Sequence, residues 1–253
     1  MTRVPYASVA VALATVCLGV AAHAQQPAPP PFATTKVEGA DITNLPIKYV
    51  IYSHHHFDHI AGGKAFKDAG ARFIAHERAA ERLAVIKDPH TVLPDETVGD
   101  EGRTITLGNT TLELSYHGLN HSDNSLVMRL PKDRLIFAVD FIPVGSVPGR
   151  GMIDSHPLEW EESLKKVLAM DWDRLIPGHP GPGGRLGTKQ DVQNLLTFLQ
   201  DVSAAVKAEA QAGKCWDEVE KELKLPKYES WPGYAAGMPF VLRRYCGLWG
   251  RGT

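Results

Sequence analysis

Long apolar runs are missing from this 253-residue chain. The longest, Ala7 to Ala21, is short of the roughly 20 residues that a spanning helix needs, which argues against a permanent membrane anchor. A strong charge of either sign is missing too. The 27 basic and 29 acidic side chains leave a formal net charge of −2. No charge field therefore favours nucleic acid or an anionic membrane surface. Cysteine is scarce, with 3 in the whole chain. No internal repeat stands out, and the C-terminal tail carries no recognisable targeting signal.

What is present begins with a leader. Arg3 gives a positive start, the apolar run follows, and Ala22-His23-Ala24 has the small-x-small form of a signal-peptidase site. Residues 1–24 read as a secretory signal cleaved before Gln25, and the mature protein is expected in the periplasm or outside the cell, with no stable membrane insertion. Export removes Cys17 and leaves Cys215 and Cys246. In an oxidising compartment that pair invites a disulfide. Gln25 to Pro31 (QQPAPPP) is an extended linker, and residues 25–46 are assigned to it and to a remnant N-terminal segment. Residues 47–253 are one domain, long enough to bury a sizeable core.

The coarse pattern mixes strands and helices. Ile47 to Tyr52 is a buried-type strand, and Ala61 to Ala69 a short helix ended by Gly70. Arg72 to Ala75 reads as a strand and Glu77 to Ile86 as a helix. Thr104 to Leu107 and Thr110 to Tyr116 form a hairpin around Gly108-Asn109. Leu126 to Leu130, Leu135 to Val139 and Leu175-Ile176 are further strands. Pro157 to Met170 and Lys189 to Ala212 are helices. The tail after Cys215 is rich in aromatics that cap the core. Hairpins and crossovers together give an α/β class whose sheets are not purely parallel.

The chemistry sits at strand ends. Ser53 to Gly63 reads SHHHFDHIAGG. If extended backbone continues into it, His54 and His56 project to one side with Asp58 in phase, and His55 to the other. His59 falls where the chain turns into the next helix. Imidazole and carboxylate suit zinc and related divalent ions. Three candidates lie downstream: His121 in GLNHSDN, Asp140 after LIFAV, and His179 in LIPGHPG. Alone, each has a bland reading as a surface or turn residue. Their shared placement beside strands raises their weight. His55, His76, His90, His117 and His156 get the bland reading. The Gly- and Pro-rich loop Pro143 to Asp154 follows Asp140 closely and has the composition of a cover, with Arg150 its only cation.

HHHFDH, with His121, Asp140 and His179 in that order, resembles the metallo-β-lactamase superfamily of zinc hydrolases. The resemblance runs from about Ile47 to Gly184. It implies an αββα sandwich with metals at one edge of the two sheets. It implies two zinc ions, the first on His54, His56 and His121, the second on Asp58, His59 and His179, with Asp140 shared. It implies a hydroxide bridging the ions that attacks a small carbonyl substrate (lactone, thioester, ester or amide), with Asp58 as the catalytic residue that orients it and shuttles a proton. Asp140 stands where true β-lactamases of the family usually have Cys or Ser, which lowers the expectation of β-lactam hydrolysis. An iron-dependent oxidoreductase on the same scaffold is a rival, since His and Asp also bind iron. The chain departs from the family in one respect. Little sequence separates Gln25 from His54, too little for the strands that usually precede the motif. The N-terminal sheet is therefore expected to be incomplete, and a truncated metal-binding protein of impaired activity is the third reading.

Overall fold

A computed structural model describes residues 45–179 and 181–252. The signal and linker expectations fall outside those residues. Among the described residues, eight strands form two sheets. The first sheet has the order β1-β2-β3, with β1 Tyr49–Ile51, β2 Arg72–His76 and β3 Glu96–Val98, all parallel. The second has the order β4-β5-β6-β7-β8, with β4 Arg103–Leu107, β5 Thr110–Tyr116, β6 Leu126–Leu130, β7 Leu135–Ala138 and β8 Arg174–Pro177. It is antiparallel except for the β7–β8 pair. Seven helices flank them: α1 Phe57–Ile60, α2 Lys64–Asp68, α3 Glu77–Ile86, α4 Pro157–Ala169, α5 Lys189–Gln211, α6 Asp217–Glu222 and α7 Tyr234–Arg251.

Period-two alternation sorts the strand side chains into layers. In β2, Phe73 and Ala75 pack with Ala79 and Leu83 of α3, while Ile74 faces the other sheet. In β6, Leu126 and Met128 face the first sheet, while Val127 faces the other way. Ile136, Ala138 and Leu175 join Val127 against Trp160 and Leu164 of α4, Leu195 and Leu199 of α5, and Val241 and Tyr245 of α7. The result is helix, sheet, sheet, helix: an αββα sandwich, as the family resemblance implied. Among the described residues no helix is long and apolar enough to cross a membrane.

Local chemistry sets the helix ends. The His76 side chain accepts a hydrogen bond from Arg78 N at 3.2 Å and caps α3. The Asp191 carboxylate takes the Thr188 N–H at 2.9 Å and an ion pair from Arg185, which fixes the start of α5. Burial raises the Asp191 pKa, but the hydrogen bonds from Arg185 and Thr188 outweigh that and hold it below the ordinary value.

Cys215 and Cys246 are bridged, with Cα atoms 5.6 Å apart. The aromatic tail is more structured than its composition suggested. About half of it is α7, which packs along α5. Trp231 stacks on Phe198 with ring centroids 5.5 Å apart, and Trp249 Nε1 donates to Ser203 Oγ at 3.1 Å. The strand β3 had no counterpart in the sequence reading.

Candidate metal centre

All the chemistry-bearing loops leave the sandwich at one edge. β1 runs out through Tyr52 and Ser53, which are tied to both sheets: Tyr52 N donates to Ile74 O at 2.8 Å, and Leu126 N donates to Ser53 O at 2.8 Å. The chain then bends through residues 53–55 and enters α1. This corrects the expectation of extended backbone through the motif. Asp58 does not share a strand phase with His54 and His56. A helical turn carries Asp58 and His59 instead, and His56 is its N-cap. The turn sends those two side chains to a second cluster.

Two clusters result, and they share one residue. Donor atoms of His54, His56, His121 and Asp140 all lie within 4.8 Å of one another, and so do those of Asp58, His59, Asp140 and His179. In the first, His121 Nε2 is 2.9 Å from His56 Nδ1, and Asp140 Oδ2 is 3.7 Å from His121 Nε2 and 4.0 Å from His54 Nε2. In the second, His59 Nε2 is 2.8 Å from Asp140 Oδ2 and 3.3 Å from Asp58 Oδ2. His179 Nε2 lies 3.3 Å from Asp58 Oδ2 and 3.4 Å from Asp140 Oδ1.

The shared residue has an unusual backbone. Asp140 has φ 56°, the left-handed region that aspartate tolerates better than most residues. Phe141 N donates to Val139 O at 2.6 Å, so Asp140 sits at the apex of a tight turn just past β7. Such strain gathers where a side chain must be aimed. Gly178 makes room for it, because a Cβ there would run into Asp140 Oδ1 and Val139 Cγ1.

The proton positions leave the first cluster with lone pairs that a cation could take. His121 Nδ1 is 3.0 Å from Gly151 O, a carbonyl that can only accept, so Nδ1 carries the hydrogen. His56 Nε2 is 2.8 Å from Asp154 Oδ2 and donates to that carboxylate. The opposite nitrogens, His121 Nε2 and His56 Nδ1, are then bare lone pairs facing each other, and only a proton or a metal can reconcile them. His54 Nδ1 is 3.1 Å from Ser53 Oγ, while its buried Nε2 has no hydrogen-bond partner. Asp140 Oδ1 is likewise buried without one.

The electrostatics agree. Burial, with the His121 and His56 imidazoles beside it, pushes His54 well below its ordinary pKa. Burial brings His121 down to about 4, against the pull of Asp140. Both are therefore neutral near pH 7, the form of imidazole that metals bind. Burial works to lower His56 as well, but Asp154 outweighs it and the pKa is raised. The Asp140 carboxylate beside it raises His179. Burial would raise Asp140, yet His179 and His59 hold it far below the carboxylate range. Three imidazoles with a carboxylate, and two imidazoles with two carboxylates, are donor sets that fit zinc and similar divalent ions.

The structure thus brings together all seven residues singled out from the sequence. Other features were not visible there. His55 belongs to neither cluster. Its backbone N–H donates to Asn124 Oδ1 at 3.0 Å, and Asn124 Nδ2 is 2.9 Å from its Nδ1. Gly151, Asp154 and Asn124 were missed. Only the composition of the Pro143–Asp154 loop hinted at the first two. Arg150 lies over the Phe240 ring, 5.9 Å from its centroid. His156 is the N-cap of α4. His117 is 2.9 Å from Ser115 Oγ and stands in neither metal cluster.

Comparison with known proteins fits this architecture. Residues 31–179 match the family model of the metallo-beta-lactamase superfamily, and the chain belongs to that superfamily. A hydroxyacylglutathione hydrolase of Rhodopseudomonas palustris is 29% identical over 73% of this chain and 64% of its own length. A linear primary-alkylsulfatase of a Pseudomonas species is 24% identical over 81% of this chain and 47% of its own. Across the curated relatives it matches, the chain spans about half of their length. A metallo-beta-lactamase structure from Pontibacter korlensis shares the fold with a TM-score of 0.54, at 22% identity over 62% of this chain and 70% of its own.

Proposed function

We propose that the protein is an exported metal-dependent hydrolase that holds two zinc ions and cleaves a small carbonyl substrate such as a lactone, thioester, ester or amide. The observation that carries this is the convergence of bare, buried imidazole nitrogens on Asp140, with a second donor set on its other side. His54, His56 and His121 would hold one ion and Asp58, His59 and His179 the other, with Asp140 shared. When bound, such a pair supplies Lewis acidity and deprotonates water near neutral pH.

The chain's own residues supply the rest. His54 and His121 are buried at 0% and 2% exposure, while Asp58 and His179 stand 49% and 55% exposed. Substrate therefore approaches from the Asp58 side. Asp58 Oδ2 is within 3.3 Å of both His59 and His179, so its carboxylate is held at the open mouth of the site. There it orients the attacking water, takes its proton and passes it to the leaving group. The Cys215–Cys246 bridge and the apolar leader support export, because disulfides persist in oxidising compartments. The slight acidity of the chain favours a small-molecule substrate over nucleic acid.

Protein purified without added metal should contain close to two zinc ions by mass spectrometry. It should turn over at least one member of a panel comprising a lactone, a thioester, a chromogenic cephalosporin, a phosphodiester and an alkyl sulfate. Asp58→Ala should abolish that turnover. Retained activity in the variant would show the wrong residue was chosen. Near-stoichiometric iron with oxygen uptake would replace the hydrolase by an oxidoreductase.

A further inference from the structure

The loop between Asp140 and α4 touches two rings of the first cluster from behind. Gly151 O receives His121 Nδ1–H at 3.0 Å, and Asp154 Oδ2 receives His56 Nε2–H at 2.8 Å. The approach at Gly151 is close enough that a Cβ there would lie 2.9 Å from both Cε1 and Nδ1 of His121. Only glycine lets the loop rest on that ring. The segment is pinned on either side of Asp154. Ser155 is fully buried, its O accepts from Arg244 Nε of α7 at 2.8 Å, and its Oγ donates to Met152 O at 3.0 Å. His156 N donates to Asn120 O at 2.8 Å, next to His121. A carboxylate on so constrained a backbone has little freedom to leave its imidazole.

A rival use of the same atoms is a third cation held by His55, His56 and Asp154, whose donor atoms also lie within 4.8 Å of one another. Hydrogen positions count against it. His55 N donates to Asn124 Oδ1, which fixes the orientation of that amide. Asn124 Nδ2 then donates to His55 Nδ1, so the His55 hydrogen is on Nε2. That N–H lies 4.0 Å from Asp154 Oδ2 and offers no lone pair. Asp154 is thus faced by two imidazole N–H groups, the geometry of an acceptor.

We propose that Asp154 is a positioning residue for the first metal. It fixes the tautomer and ring orientation of His56 so that Nδ1 presents its lone pair to the ion. A carboxylate on the far nitrogen of a ligating imidazole also raises the basicity of the near one. His121 receives the neutral version of this treatment from Gly151 O. Both holds come from one loop, whose footing is α7.

This inference rests on the metal-binding reading, and its test separates the two. Zinc uptake by the full mature chain is measured by competition with a chromophoric chelator, for wild type, Asp154→Ala and Asp154→Asn. Cobalt(II) absorption spectra are recorded alongside. The expected result is two equivalents bound by wild type, with one of them weakened about 10- to 100-fold in Asp154→Ala. The other equivalent should stay within threefold, and the cobalt spectrum should shift. Asp154→Asn keeps an acceptor oxygen without the charge, so it should recover part of the affinity. It also serves as the test if the alanine variant does not fold. Unchanged affinity for both ions and an unchanged spectrum in the variants overturn the positioning role alone. A third equivalent in wild type that is lost in His55→Ala does the same, in favour of the third-cation rival. A wild type that takes up no metal overturns this inference together with the metal-binding reading.

Discussion

Opening the Cys215–Cys246 bridge should weaken the fold by an amount that follows from its place in the chain. The bridge closes a loop whose ends are 31 residues apart in sequence. On the chain-entropy account, constraining the unfolded ensemble over such a loop stabilises the native state by about 3.7 kcal/mol. For a domain of about 200 residues that corresponds to a fall in Tm of roughly 7–15 °C. Cys215→Ala is the cleaner perturbation. Cys246 is fully buried and remains as a small apolar thiol, whereas Cys215 is only half-buried. Thermal unfolding of oxidised wild type, reduced wild type and Cys215→Ala should give one high and two low midpoints. Thiol titration of the unfolded, unreduced wild type should find neither cysteine free. Metal uptake should not change, because neither cysteine contacts the clusters. Two free thiols would remove the bridge. A loss under about 1 kcal/mol with the bridge confirmed would refute the entropic reasoning, since residual structure in the unfolded chain would then already constrain the loop.

Other outcomes follow from single contacts. Gly178→Ala puts a methyl group against Asp140 Oδ1 and Val139 Cγ1, and overpacking of that kind costs about 1–3 kcal/mol. Calorimetric zinc titration should show both ions weakened, because Asp140 faces both clusters; wild-type binding by this variant would mean that Asp140 moves freely. Asp191→Ala removes the acceptor at the start of α5 and should cost about 1–2 kcal/mol at pH 7 by denaturant titration. The native Asp191 pKa is held down, so its contribution is present above the unfolded carboxyl pKa and is lost as pH falls through the lower folded value. The variant and wild type should therefore converge in stability at low pH; a gap that persists there would place the effect in packing instead of charge.

The strands were legible because their signals are local, and so was the histidine-rich run His54 to His59; His121, Asp140 and His179 drew their weight from the family resemblance. Leu126–Leu130 and Glu77–Ile86 have the bounds that apolar patterning gives them, and the hairpin around Gly108-Asn109 differs by one residue at its start. The strand Glu96–Val98 was not legible: three residues are too few to show alternation, and neighbouring β2 stabilises it. Helix α7 was hidden by Gly237 and Pro239 within it, which lower helix propensity. Packing of Val241, Leu242 and Tyr245 against the core outweighs that cost. The motif's donors do cluster, but its local geometry was misread. A strand period was extended where the chain bends and starts a helical turn. Asp154 was out of reach for another reason. It lies 98 residues from His56 in sequence, and only the path of the chain after β7 brings them together.

Asp140 presents its two oxygens to both donor sets from the apex of one tight turn. Two ions that share a single carboxylate are thermodynamically coupled. Whatever factor the first imposes on the affinity of the second, the second imposes on the first. The left-handed backbone at Asp140 carries a conformational cost that serves both donor sets together. On the two-ion reading, each ion should shift the affinity of the other by the same factor, while each donor set keeps an intrinsic affinity of its own.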